Sequence, residues 1–156
     1  MIALDIPGWG SLRLSHGILD LNGTLAVDGE VGEAAAGRLR ALSAQVELVI
    51  VSADTTGTLA RWGQSLGLAV RRAAVAEDKV AALEALRAGG ASGVVAVGNG
   101  RNDVPVLRAA DLAIAVVGRE GAAAAAVAAA DLVCPSIEDA LDLLLRPARL
   151  LSGLRA

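Results

Sequence analysis

The chain has 156 residues, 54% of them hydrophobic and 20% charged, with a net charge of −3, the size of one globular domain that buries roughly 70% of its unfolded surface without disulfides. Its 14 basic residues are scattered and it has neither Tyr nor Phe, so no electrostatic or stacking platform exists for nucleic acid or an anionic membrane surface. The longest apolar stretch, Gly121 to Ala130, is far short of the ~20 residues that span a bilayer. Cys134 is the lone cysteine, and the opening MIALDIPGWG lacks the basic flank and apolar run of a signal peptide, so a reducing cytoplasm is the expected compartment.

In chain order, two alternating runs around Pro7-Gly8-Trp9-Gly10 predict a hairpin at the edge of the fold, leading into a strand over Gly17 to Leu21. A helix follows over Val31 to Ala44, with Val31, Ala35, Leu39 and Leu42 on one face. Strand Val46 to Val51, helix Thr56 to Leu66, strand Leu68 to Val70 and helix Glu77 to Ala88 come next, with Gly67 and Gly89 at the expected helix ends. Strands Gly93 to Val97, Leu112 to Val117 and Leu132 to Cys134 complete the sheet. The alanine run Gly121 to Ala130 reads as a small-faced helix, and Ser136 to Leu145 and Pro147 to Leu154 as two helices broken at Pro147. This alternation predicts an α/β protein: a Rossmann-like three-layer sandwich with a mostly parallel central sheet. One domain covers 1–156, with 1–16 as an N-terminal hairpin extension and 17–156 as the core.

In an open parallel sheet, ligands bind beyond the carboxyl ends of the strands, so the polar residues that directly follow each apolar run are the informative ones. They are Asp20-Leu21-Asn22-Gly23-Thr24, then Ser52-Ala53-Asp54-Thr55, then Gly98-Asn99-Gly100-Arg101-Asn102-Asp103. Lys79 stands at the start of a helix, where it opposes the macrodipole, and it is the only lysine in the chain. Carboxylates, a hydroxyl, an ammonium and two glycine turns suit a phosphoryl group held with a hard divalent cation. One histidine, His16, and one cysteine cannot build a tetrahedral zinc site. A carboxylate free to attack phosphorus could form an acyl phosphate.

These segments, with Leu25 completing the first, resemble in order and spacing the four motifs of the haloacid dehalogenase (HAD) superfamily. Gly98 to Leu107, followed by Ala109-Ala110-Asp111-Leu112-Ala113-Ile114-Ala115, looks most like the phosphorylation domain of P-type ATPases, in the manner of the small soluble P-type ATPase-like proteins. The resemblance spans most of the chain. It implies a HAD-like fold, Asp20 as the nucleophile that accepts the phosphoryl group, and Ser52, Lys79 and Gly23 as phosphate-binding residues. It also implies Mg²⁺ held by Asp20, the backbone carbonyl of Asn22, Asn99 and Asp103. The substrate is expected to be a phosphorylated small molecule or macromolecule.

Two residues depart from the family pattern. Asn22 stands where the phosphatases carry an aspartate as general acid and base, a function worth roughly 10² to 10⁴ in rate, so slow turnover is expected. P-type ATPases also lack an aspartate there, which suits a persistent phosphoenzyme. Asn99 replaces a metal-binding aspartate, so metal affinity is expected to be weaker unless Asp103 compensates. Both asparagines precede glycine, and deamidation would restore an acid at each. The spacings leave no room for a cap domain, so a macromolecular substrate, a neighbouring subunit of a homo-oligomer acting as lid, or poor selectivity is expected. A degenerate domain that binds phosphate without turnover, and a sugar-phosphate phosphatase capped by its tetramer neighbours, are the alternative expectations.

Overall fold

The computed structural model describes residues 1–156. Six parallel strands form the central sheet: β3 (His16–Leu19), β4 (Glu47–Ser52), β5 (Ala69–Arg72), β6 (Val94–Gly98), β7 (Leu112–Val116) and β8 (Leu132–Cys134), in spatial order β5-β4-β3-β6-β7-β8. The first core strand thus lies between the second and the fourth, registered Leu19 to Ile50 on one side and Leu19 to Val97 on the other. From β3 the chain runs outward through α1 (Glu33–Ser43), β4, α2 (Leu59–Leu66) and β5. It then returns across β3 through α3 (Ala76–Ala88) to β6, and goes on through α4 (Val104–Ala109), β7 and α5 (Ala124–Ala129) to β8.

Right-handed crossovers place helices on opposite faces when the direction of travel reverses. Accordingly α1 and α2 cover one face, together with α6 (Ile137–Leu145) and α7 (Ala148–Leu154), while α3, α4 and α5 cover the other. Alternation along the strands decides which residues meet each layer. Leu19, Ile50, Val97 and Ile114 enter the larger apolar cluster, and Ile18, Val51, Ala96 and Ala113 the smaller one. The reversal creates a switch point at the carboxyl ends of β3, β4 and β6, where neighbouring connections diverge and leave a crevice.

Several boundaries differ from the sequence expectation. The first core strand ends at Leu19 because Leu21 turns out of the sheet to accept the Ala26 amide. The alanine helix is only Ala124–Ala129, since the Ala123 amide is drawn to the Asn99 carbonyl and Gly121 turns back on Gly118. Helix α4 is absent from the sequence reading; six residues with a proline at the start give little periodicity to detect. The hairpin, β1 (Ile2–Ile6) paired antiparallel with β2 (Gly10–Leu14), is a separate sheet. It is more than an edge decoration, because Ile2, Ile6, Leu12 and Leu14 are buried in the larger core cluster. Cys134 is buried, and burial pushes its thiol up to about 11, which leaves it inert. No inserted domain interrupts the sandwich between β3 and α1; the segment holds only a short flap, closed at its tip by Val27 and Glu30.

Candidate active site

Asp20 is the first residue beyond β3, and its amide still bonds the Val97 carbonyl at 3.0 Å. Its side chain meets Lys79, from the first turn of α3, and Asp103, from the loop after β6. The Lys79 ammonium lies 2.7 Å from Asp20 Oδ1 and 2.5 Å from Asp103 Oδ1. All three are almost fully buried, with exposures of 6% for Asp20 and 1% for both Lys79 and Asp103. Three elements distant in sequence therefore deliver two carboxylates to one ammonium. The position of Lys79 against the helix dipole is accounted for by these carboxylates alone.

The three charges sum to minus one in a buried place. Burial first, and repulsion from Asp103 second, push the Asp20 carboxyl up to about 6, against the pull of Lys79 and the Thr24 hydroxyl. Burial draws the Lys79 ammonium down, but attraction to Asp20 and Asp103 more than offsets it, and its pKa lies above the ordinary lysine value. The centre thus carries a negative charge that its own lysine does not neutralise.

Asp103 is committed on both oxygens. Oδ2 accepts the amides of Asn99 (3.0 Å) and Gly100 (2.8 Å), and Oδ1 takes Lys79. Gly98 permits this close approach, since a Cβ there would sit 2.5 Å from Asp103 Cγ. Thr24, to which the sequence reading attaches no separate role, links two candidate residues. Its buried hydroxyl lies 3.1 Å from both Asp20 Oδ2 and Asn99 Oδ1, and its single proton serves one of them at a time. The Asn99 amide nitrogen donates to the Gly121 carbonyl at 3.0 Å.

Ser52 ends β4, one strand from Asp20; its hydroxyl is buried and accepts the Asp54 amide at 3.2 Å, with no bond to Asp20, Lys79 or Asp103. Gly23 adopts φ +79°, and a Cβ there would lie 2.5 Å from Asn99 Nδ2. Its amide donates to the Ala26 carbonyl at 2.9 Å. The Asn22 carbonyl, by contrast, receives no hydrogen bond from the protein. His16 lies at the opposite, amino end of β3, against Ser15 and Glu47.

A hard divalent cation fits this donor set. Asp20 supplies a carboxylate, the Asn22 carbonyl is a free acceptor, and Asn99 Oδ1 loses only a shared hydroxyl bond. The unneutralised negative charge calls for a cation as well. Asp103 has less to offer: Oδ2 holds two amides, while Oδ1 holds Lys79 alone and keeps one acceptor site.

No family model matches the chain. An uncharacterized protein of Methanocaldococcus jannaschii is 49% identical over 57 residues, which make up 36% of this chain and 61% of that protein. A shorter uncharacterized protein of the same archaeon is 49% identical over 39 residues, 25% of this chain and 89% of its own length, and the chain belongs to one family with it. A probable cation-transporting P-type ATPase J of Mycobacterium tuberculosis is 38% identical over 100 residues, 60% of this chain but 14% of the ATPase. The chain thus spans less than two thirds of the archaeal protein matched over 57 residues and of the ATPase.

Among solved structures, the 3-deoxy-D-manno-octulosonate 8-phosphate phosphatase of Moraxella catarrhalis, in complex with magnesium, phosphate and the sugar acid, superposes with a TM-score of 0.74 at 15% identity, covering 90% of each chain. The cobalt-bound deoxy-D-mannose-octulosonate 8-phosphate phosphatase from Haemophilus influenzae gives 0.73 at 18% identity over 92% of this chain and 94% of that one. A putative HAD family hydrolase of Streptomyces avermitilis gives 0.69 at 20% identity, over 84% and 82%. The fold is that of the haloacid dehalogenase superfamily, without a cap domain.

Proposed function

We propose that the chain is a HAD-type phosphohydrolase that cleaves a phosphate ester or anhydride through an aspartyl phosphate on Asp20. The observation that carries this reading is the placement of a buried carboxylate, held by Lys79 but not neutralised by it, at the switch point of the sheet. An Asp20 oxygen attacks phosphorus as the bond to the leaving oxygen breaks, and that oxygen takes its proton from water. A second water then attacks phosphorus, releases inorganic phosphate and restores the carboxylate. Mg²⁺, held by Asp20, the Asn22 carbonyl and Asn99, supplies charge neutralisation of the transferring group when bound.

Lys79 stabilises the same charge, and Asp103 positions Lys79. Ser52 contributes its hydroxyl proton, which the Asp54 amide leaves free because that amide donates to Oγ. Asn22 cannot exchange a proton, so turnover is slow by roughly 10² to 10⁴ relative to a centre with an acid there. The substrate is a phosphorylated small molecule or macromolecule, and a reducing cytoplasm suits a chain whose one thiol is buried. No helix is long and apolar enough to cross a membrane.

A second reading, phosphate binding without turnover, is favoured by Asn22 and by the Asn99 amide, which is bonded on both ends. Hydrolysis of p-nitrophenyl phosphate with Mg²⁺ or with EDTA separates the two. The hydrolase reading expects slow, Mg²⁺-dependent release that vanishes in Asp20→Asn and rises in Asn22→Asp. Binding of phosphate with neither release nor a hydroxylamine-labile phosphoprotein would establish the second reading instead.

A further inference from the structure

A cavity of about 500 Å³ is formed without Asp20, Asn22, Ser52, Lys79, Asn99 or Asp103. It lies behind the flap, between residues Gly23 to Gly32, the turn after β7 and the start of α6. Its volume lies in the range of small-molecule sites. Leu25, Val27, Val116 and Ile137 give it apolar walls. Arg119 is its only cation, exposed at the tip of the Gly118 to Gly121 turn and engaged in no ion pair.

Two carboxylates also border the space. Glu30 is taken by Arg61 at 3.2 Å, which leaves Glu138 facing the cavity without an ion pair. We infer that this cavity is a second binding site, for a small monocarboxylate with an apolar body, its carboxylate on Arg119 and its body against the apolar walls. The guanidinium fork matches a carboxylate. Glu138 repels a dianion such as phosphate more strongly than a single negative charge, and Arg119 repels a cation. The apolar walls favour a hydrocarbon body over a bare ion.

The site stands apart from phosphoryl chemistry at Asp20, yet it shares a wall with that centre. Gly23 and Thr24 line the cavity, and the Thr24 hydroxyl reaches Asp20 and Asn99 on its other side. The flap that forms the roof is latched at its tip, where Trp62 Nε1 donates to the Gly29 carbonyl at 2.9 Å. An occupant would therefore be sensed at the Trp62 indole.

The test is a titration of the full chain with hexanoate, with hexanol as the uncharged counterpart and with inorganic phosphate, followed by calorimetry and by the indole N–H resonance of Trp62. Wild type should bind hexanoate up to about fivefold more tightly than hexanol, the gain of one exposed charge pair, and should shift the Trp62 resonance. Arg119→Ala should bring the two affinities together. Gly32→Trp should abolish both, because Gly32 lines the cavity, its φ of −68° accepts any L-residue, and a Cβ there meets nothing within 4 Å. Equal binding of hexanoate and hexanol by wild type, hexanoate binding that survives both variants, or phosphate binding through Arg119 as tight as hexanoate would each overturn the assignment. Loss of hydrolysis at Asp20 with these ratios intact would count against the hydrolase reading alone.

Discussion

Replacing Asp20 by asparagine removes one of the two carboxylates that share Lys79, and the expected result is a more stable protein. In the folded chain the Asp20 pKa is about 6, against an ordinary 3.8. A shift of about two units corresponds to roughly 3 kcal/mol by which folding disfavours the ionised form, at about 1.4 kcal/mol per unit. Between pH 3.8 and about 6 the native state binds the extra proton, so stability falls as pH rises through that window, and the whole penalty stands above it.

Asparagine keeps the shape and cannot ionise. At pH 7.5 the variant should gain up to about 3 kcal/mol, a rise in urea midpoint of about 1 M or more for a chain of this size. At pH 3.5 the gain should disappear, because wild-type Asp20 is then protonated. Urea unfolding in EDTA at both pH values measures the difference directly. Mg²⁺ should narrow it at pH 7.5, since a bound cation neutralises the wild-type carboxylate and has less to neutralise in the variant. A variant that is equally or less stable than wild type at pH 7.5 in EDTA would refute the charge accounting of the centre.

Lys79→Met leaves Asp20 and Asp103 buried without a counter-charge, and should cost about 3–5 kcal/mol at pH 7 in chemical unfolding; the loss should shrink on acidification as Asp20 takes up its proton. Gly23→Ala places a Cβ 2.5 Å from Asn99 Nδ2 at a φ of +79°, so a stability loss of about 1–3 kcal/mol is expected, with weakened Mg²⁺ dependence of hydrolysis as Asn99 is displaced. Asn22 and Asn99 should both resist deamidation, contrary to what their Asn-Gly sequences suggest. The Gly23 amide is held by the Ala26 carbonyl at 2.9 Å and the Gly100 amide by Asp103 at 2.8 Å, so neither is free to attack the preceding side chain. Intact mass after prolonged incubation at pH 8 should stay unchanged, and a gain localised to either asparagine would contradict this.

Asp20, Lys79 and Asp103 were legible in the sequence because each violates a local rule: a charge directly after a buried strand, a cation at a helix start, a carboxylate within a glycine turn. Only a tertiary partner resolves such violations. What the sequence could not show was which atom of each residue faces which partner. Motif spacing puts Asp103 beside the metal; it does not show that Lys79 and two amides take three of its four acceptor sites. Likewise Gly23 reads as a phosphate-binding glycine, but its φ and its missing Cβ serve the approach of Asn99. The hairpin's alternation is plain in the sequence; that its one apolar face is buried depends on α7 and the main core, which periodicity alone cannot place.

The single lysine among 14 basic residues gains a physical reason from this geometry. An ammonium has three donors arranged tetrahedrally, and two of those on Lys79 are taken by Asp20 and Asp103. One donor remains for a phosphoryl oxygen arriving at Asp20. A guanidinium in the same buried space would present a planar fork that matches one carboxylate with two parallel bonds, and it would occupy more volume among residues that are already nearly inaccessible. Lys79→Arg therefore keeps the charge and loses the three-way arrangement. It should retain much of the stability that Lys79→Met loses, yet fall well below wild type in turnover, and a variant with wild-type turnover would show that the charge alone, not its tetrahedral placement, is what the centre requires.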